Sequence, residues 1–121
     1  MRISSPLSVL SLLLLLPACG PTTRVDAHDQ ATRAACDYYA DCEEIGSGEG
    51  KQFQDRNECE VKIRDFFQAA WTGDNCPAIN ETGLETCLKR IPTTSCSSAA
   101  DFLNTALLVC RAGSVCQDVQ D

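Results

Sequence analysis

The sequence predicts an all-α domain, a small bundle of about four short helices that disulfide bonds staple together. Four segments carry apolar residues at helical spacing, and no stretch of useful length alternates between apolar and polar residues as a strand does. The core is thin, because only 21 large apolar side chains (Val, Ile, Leu, Phe, Trp or Tyr) follow residue 20. Nine cysteines among 121 residues offer the covalent cross-links that such a core needs.

The first two helices are predicted on either side of a glycine-rich turn at residues 46–50. The first covers residues 31–44, and the second starts after Asp55, an N-cap with Glu58 three residues later, a variant of the capping box. Gly73 lies where a C′ residue would end the second helix. The apolar face of the first helix consists of Ala35, Tyr38, Tyr39 and Cys42. That of the second consists of Cys59, Ile63, Phe66, Phe67 and Ala70.

Two further helices are predicted towards the C-terminus. Asn80 caps a third helix over residues 81–91, and Pro92 ends it because proline cannot continue a helix. A fourth helix covers residues 98–108. Their apolar faces consist of Leu84, Cys87, Leu88 and Ile91 in the third helix and of Phe102, Ala106 and Val109 in the fourth.

Residues 1–18 are predicted to be an export signal peptide. A basic start is followed by ten apolar or small residues, 7–16, which span about 15 Å as a helix and so are too short to cross a bilayer stably. The next residues, Leu-Pro-Ala and Cys19, resemble the lipobox of bacterial lipoproteins. The resemblance implies that the signal is cut before Cys19 and that its thiol receives a diacylglycerol, which anchors the protein to a membrane. The alternative is an ordinary secretory signal cut near Ala18, which leaves Cys19 as an unpaired thiol.

These assignments divide the chain into a signal peptide (residues 1–18), a lipidated tether (19–29) and a disulfide-rich helical domain (30–121). The tether has no apolar period. Gly20 follows the lipid anchor in place of the Asp of inner-membrane retention signals, a resemblance that favours the outer membrane of a bacterial cell envelope. Removal of Arg2 with the signal changes the formal charge from −7 to −8. This acidity argues against nucleic acid as a partner, because phosphate binding needs clustered Lys and Arg.

The eight cysteines after the lipobox are predicted to form four disulfides, because an exported compartment is oxidising, their number is even and the core is thin. No two of them have the C-x2-C spacing of a zinc site or of a thioredoxin-like motif, and the only histidine, His28, lies in the tether. If the first two helices form an antiparallel hairpin, Cys42 faces Cys59, which favours a Cys42–Cys59 bridge; the other pairings stay open. The eight are Cys36, Cys42, Cys59, Cys76, Cys87, Cys96, Cys110 and Cys116.

The arrangement of these features resembles a known class of proteins. Its elements are the lipobox, the segment from Cys36 to Cys42 with two tyrosines between them, Phe53, Trp71 and the spacing of the remaining cysteines. Together they are similar to small cysteine-rich bacterial lipoproteins of uncharacterised function, some of which are labelled natural-product biosynthesis lipoproteins. The resemblance covers nearly the whole mature chain, and it implies no catalytic residues.

No combination of residues predicts catalysis, a cofactor or a metal site. His28 lacks the rigid scaffold that a catalytic base needs. The glycine-rich residues 46–50 do not form a phosphate-binding loop, because Ile45 and Gln52 stand where that motif needs Gly and Ser or Thr. The protein is therefore predicted not to be an enzyme.

Acidic residues and one aromatic side chain are the candidates for a ligand or partner face. The acidic residues crowd the C-terminal half of the first helix, where the helix dipole disfavours anions, so a cation or a basic partner could offset their repulsion. Trp71 could line a small apolar pocket between helices. A solvated acidic surface and ordinary core packing are the alternatives. The candidate residues are Asp37, Asp41, Glu43, Glu44 and Trp71.

The sequence therefore predicts a lipid-anchored lipoprotein of the cell envelope that acts as a binding or accessory module without catalysis. Its partner is expected to be a protein or a small molecule. One alternative is a thiol–disulfide or small-molecule-handling accessory of a secreted biosynthetic pathway. Another is a secreted enzyme inhibitor that presents residues 46–52 as a rigid exposed loop.

Overall fold

A computed structural model describes residues 21–117, apart from the side chains of residues 100 and 105–108, and confirms the all-α fold. Within this part the chain forms five α-helices, two short 3-10 helices and no strand beyond two isolated β-bridges. No helix among these residues is long and apolar enough to span a membrane. The signal peptide and Cys19 lie outside the described residues. The helices are α1 (Arg24–Asp41), α2 (Arg56–Ala70), α3 (Glu81–Arg90), α4 (Phe102–Val109) and α5 (Ala112–Val115), and the 3-10 helices are Ile91–Thr93 and Cys96–Asp101.

Helix α1 begins at Arg24, so the prediction of a tether over residues 19–29 is wrong from Arg24 onwards, and the helical domain begins before residue 30. The Thr23 hydroxyl caps this helix by accepting a hydrogen bond from the Asp26 backbone N–H at 3.1 Å. The first turns look like a linker in sequence because the side chains that they bury are small or polar: Ala27, His28, Ala31 and Thr32. Such side chains let neighbouring elements approach closely without producing an apolar period.

Helices α2 and α3 start where their caps predict. The Asp55 carboxylate accepts from the Glu58 backbone N–H at 2.8 Å, and the Glu58 carboxylate accepts from the Gln54 N–H at 3.2 Å, which completes the variant capping box. Asn80 Oδ1 accepts from the Gly83 N–H at 3.0 Å. Helix α2 ends at Ala70, before Gly73 can act as its C′ residue, and α3 gives way to a 3-10 turn at Pro92.

The C-terminal region is more broken than predicted. The expected helix over residues 98–108 is divided into the 3-10 helix Cys96–Asp101 and α4, and α5 is an additional helix of four residues. Helix α5 packs against α3 so closely that a Cβ atom on Gly83 would lie 1.8 Å from the Ser114 carbonyl oxygen. Next to this contact the Asn80 N–H donates to the Val115 carbonyl oxygen at 2.7 Å.

The eight cysteines lie in four pairs at disulfide distance, as predicted in number but not in pairing. The Cys42–Cys59 prediction is wrong, because Cys59 is bonded to Cys36. The long connection after α1 returns the chain along that helix, and α2 starts beside its middle: Arg56 Nη1 donates to Asp37 Oδ1 at 2.7 Å and its Nη2 to the Arg33 carbonyl oxygen at 3.4 Å. The four pairs are Cys36–Cys59, Cys42–Cys96, Cys76–Cys116 and Cys87–Cys110.

Candidate functional site

The four acidic candidates lie around the end of α1 and the following turn, but they do not converge on one site. Asp37 is exposed and paired with Arg56, whose pKa it raises. Glu43 is exposed with a left-handed φ of +58°, and its carbonyl oxygen accepts a hydrogen bond from Lys51 Nζ. Asp41 is exposed and Glu44 is half-buried. Among the described residues no group of three or more His, Cys, Asp or Glu side chains could hold a metal ion.

Trp71 is a core residue, so its prediction as part of a partner face is wrong. Its side chain is fully buried, and its Nε1–H donates to the Cys110 carbonyl oxygen at 2.7 Å. The ring centroid lies 4.9 Å from that of Phe67 and 5.8 Å from that of His28. The sequence alone could not show that the indole keeps no exposed surface.

His28 is buried, contrary to the prediction of a solvated linker residue. Its side chain is stacked on Trp71, and its Nε2 is hydrogen-bonded to the Trp71 carbonyl oxygen at 2.9 Å. Because a carbonyl only accepts, Nε2 carries the proton. Burial, followed by the nearby charge of Arg24, lowers the pKa of His28 and so favours the neutral ring, although the bond to Trp71 acts in the opposite direction.

The glycine-rich turn between α1 and α2 is closed at its base. The Gly46 N–H donates to the Phe53 carbonyl oxygen at 3.0 Å, and the Gln52 N–H donates to the Glu44 carbonyl oxygen at 2.9 Å. Gly50 has a φ of +81°, a conformation that favours glycine. Residues 47–52 between these contacts are exposed, so the segment predicted as an inhibitor loop is an exposed turn on a fixed base.

An apolar groove lies where the described chain begins, a feature that no motif in the sequence indicated. Its volume is about 500 Å³, within the range of small-molecule sites. One wall is the segment that leads into α1, where Val25 is 72% exposed, the highest value among the exposed large apolar side chains of the described chain. The other wall is formed by the segment before α3 and by Gln117. The lining consists of Pro21, Thr22, Thr23, Arg24, Val25, Pro77, Ala78, Ile79 and Gln117.

Hydrogen bonds hold the two walls of this groove together. Arg24 Nη1 donates to the Cys76 carbonyl oxygen at 3.3 Å. The Thr22 backbone N–H and hydroxyl both donate to Glu81 Oε1, each at 3.1 Å. The Gln117 N–H donates to the Ala78 carbonyl oxygen at 2.9 Å. The groove is therefore held together by contacts within the folded chain.

The fold and its bridges define the protein as a small disulfide-stapled all-α domain. Residues 36–118 match a family described as a family of unknown function, DUF6184, and the chain belongs to that family. The match begins at Cys36 and includes all eight paired cysteines, and it leaves out Cys19 and the first two thirds of α1. No curated protein and no solved structure matches the chain.

Proposed function

We propose that the protein is a lipid-anchored module of the bacterial cell envelope that binds a small apolar molecule or a partner and does not catalyse a reaction. The observation that carries the proposal is the apolar groove beside Pro21, two residues after Cys19, the predicted site of lipid attachment. The resemblance to natural-product biosynthesis lipoproteins favours a small apolar ligand, for which a groove of about 500 Å³ is large enough.

A lipid on Cys19 would hold this groove close to the membrane. The hydrogen bonds to Glu81 fix the domain from Thr22 onwards, so only the residues between Cys19 and Thr22 serve as the tether. The three peptide units from Cys19 to Thr22 reach about 10 Å in an extended conformation. The domain would therefore remain near the membrane surface, and a ligand that leaves or enters the bilayer would meet the groove first.

The state of His28 supports a role without catalysis. A general base needs a ring nitrogen that a substrate can reach. The histidine Nε2 is bound to the Trp71 carbonyl oxygen, and the ring is buried against the indole. His28 is the only histidine of the chain, and it stabilises the core.

The anchor is tested by substitution of Cys19, with fractionation of cells and fatty-acid labelling as the measurements. Cys19→Ser is expected to abolish labelling and to release the protein from the membrane, because it removes the thiol that would carry the lipid. Gly20→Asp keeps the thiol and is the matched control. It is expected to remain labelled and membrane-bound but to move from the outer to the inner membrane. Unchanged membrane association of the Cys19→Ser protein would refute the anchor.

The groove is tested with 8-anilinonaphthalene-1-sulfonate, a dye that fluoresces on apolar surfaces. The full chain is expected to enhance its emission, and Ala78→Trp, which fills the groove, is expected to abolish most of the enhancement. Val61→Asp on α2 is the control, because Val61 is also an exposed apolar side chain, at 50% exposure, but does not line the groove. Equal loss of emission in both variants would show that the dye does not bind in the groove.

A further inference from the structure

The disulfides divide the described chain into two separately stapled halves. Cys36–Cys59 lies within the N-terminal half, residues 21–71, and joins α1 to α2. Cys76–Cys116 and Cys87–Cys110 both lie within the C-terminal half, residues 76–117. Cys42–Cys96 alone among the four bridges connects the two halves. Apart from this bridge, only the main chain at residues 72–75 joins the halves covalently.

The same bridge is also the accessible one. Cys96 is exposed and Cys42 is half-buried, whereas the six cysteines of the other three bridges are buried. Thiol–disulfide exchange requires a thiolate to reach a sulfur atom, so access decides which bridge can react in the folded protein. The exposed Cys96 therefore offers a thiolate an approach from solvent that the buried cysteines of the other three bridges do not offer.

We infer that Cys42–Cys96 is a thiol–disulfide exchange site that a dithiol, either a small molecule or a dithiol protein, opens while the domain stays folded. One thiolate of the dithiol attacks Sγ of Cys96, the bond between the two cysteines breaks, and Cys42 leaves as a thiolate that takes a proton from water. The second thiol of the partner, as a thiolate, then attacks the partner sulfur of the mixed disulfide. Cys96 is released and protonated, and the partner becomes a disulfide. Two electrons pass from the dithiol to the domain.

Contacts between the halves keep the fold in place when the bridge is open. The Tyr38 hydroxyl donates to the Ser95 carbonyl oxygen at 2.8 Å, next to the bridge. The rings of Tyr38 and Phe102 are stacked at 4.4 Å. Further from the bridge, the Trp71 indole of the N-terminal half donates to the Cys110 carbonyl oxygen of the C-terminal half. The open form therefore keeps a buried interface, and it has free thiols on the exposed Cys96 and on the half-buried Cys42.

The test is graded reduction of the native protein with dithiothreitol, followed by alkylation with iodoacetamide and peptide mass mapping. The first product is expected to carry two alkyl groups, on Cys42 and Cys96. It should retain the native fluorescence of Trp71, the only tryptophan of the chain. Alkylation of any other pair in the first product, or release of all eight thiols together, would overturn the inference. The Cys42→Ser/Cys96→Ser variant is expected to consume no dithiol under the conditions that open the wild-type bridge.

The division into halves has its own test, which remains informative if the double variant is less stable. A protease site inserted between Gly73 and Asp74, both exposed, allows the chain to be cut between the halves. After cutting, the protein with Cys42 and Cys96 should run as one band on a denaturing gel without reductant and as two after mild reduction. The Cys42→Ser/Cys96→Ser variant should run as two bands in both cases. A single band of the cut variant without reductant would show another bridge between the halves. The exchange site depends neither on Cys19 nor on the groove. Failure of this inference would therefore leave the proposed function unaffected, and failure of the proposed function would leave this inference unaffected.

Discussion

At the scale of single residues, His28 couples the stability of the fold to pH. The Nε2–H of the buried ring donates a hydrogen bond to the Trp71 carbonyl oxygen, and the ring packs on the indole. Burial lowers the pKa of His28 from the ordinary value of 6.5. In the unfolded chain the ring takes up a proton at higher pH than it does in the folded protein. Stability from His28 is therefore complete above about pH 6.5 and is lost as the pH falls through the pKa of the folded state.

We predict that His28→Phe flattens this dependence. The phenyl ring keeps the stacking on Trp71 but cannot be protonated, and it leaves the Trp71 carbonyl oxygen without its donor. The variant should be less stable than the wild type at pH 7.5, by about 1–3 kcal/mol. Each unit of pH can remove at most about 1.4 kcal/mol of the stability that His28 gives the wild type. The difference in stability between the two proteins should therefore be smaller at pH 5 than at pH 7.5. Urea unfolding monitored by Trp71 fluorescence measures it, and a gap of the same size at both pH values would contradict the prediction.

The candidate residues show what a sequence conveys at this scale. The acidic patch around the end of α1 was predictable because charged residues mostly stay exposed. The partners of these acidic residues were not predictable. Asp37 pairs with Arg56, for example, because the connection between α1 and α2 brings the start of α2 beside α1. The burial of Trp71 and His28 was not predicted for the same reason, because it depends on contacts between residues far apart in the chain. The two rings stack on each other, and the indole of Trp71 donates to the Cys110 carbonyl oxygen.

At the scale of elements, the close approach of α5 to α3 depends on Gly83. A methyl group there would lie 1.8 Å from the Ser114 carbonyl oxygen. That carbonyl belongs to a segment held by the hydrogen bond from the Asn80 N–H to the Val115 carbonyl oxygen and by the Cys76–Cys116 bridge, so it has little freedom to withdraw. The absence of a side chain at Gly83 thus sets the distance between the two helices.

We predict that Gly83→Ala destabilises the protein by roughly 3 kcal/mol, at the upper end of the usual cost of overpacking and despite the better helix propensity of alanine. Gly113→Ala is the matched control on α5, because no atom lies within 4 Å of a Cβ at Gly113. It should be neutral or should stabilise the protein slightly. Thermal unfolding of the two variants compares them directly, and equal shifts of Tm would show that the contact at Gly83 is not responsible.

Whether an element was predictable depended on its capping residues and its length. Asp55 and Asn80 marked α2 and α3 because their side chains bond to backbone N–H groups three residues later, a local pattern. The start of α1 was not predicted, because the first residues that this helix buries are small or polar and give no apolar period. Helix α5 has only four residues, too few to show a period, and the packing on Gly83 gives it its place.

At the scale of the whole molecule, the bridges differ in what they stabilise. Cys42–Cys96 closes a longer loop than Cys36–Cys59, with a sequence separation of 54 against 23. By loop-closure entropy alone, their removal costs about 4 and about 3.4 kcal/mol respectively. Burial reverses this order, because serines at positions 36 and 59 would place two hydroxyl groups in the core at about 1–3 kcal/mol each where they lack partners.

We therefore predict that Cys36→Ser/Cys59→Ser is less stable than Cys42→Ser/Cys96→Ser, although it opens the shorter loop. Urea unfolding of the two double variants under oxidising conditions gives the comparison. The reverse order would mean that loop entropy outweighs burial in this domain. The number of bridges was predictable from the count of cysteines, but their pairing required the path of the connection between α1 and α2.

The pairing also bears on how the protein is made. If the chain is exported as proposed, its cysteines enter an oxidising compartment in sequence order. Every native bridge passes over at least one intervening cysteine, for example Cys42 between Cys36 and Cys59, and Cys96 between Cys87 and Cys110. Cys42–Cys96 passes over three. Thiols that pair with their nearest neighbour as they emerge would form none of the native bridges. We therefore expect oxidative folding of this chain to be faster with a disulfide isomerase, which corrects early pairings, than with an oxidase alone.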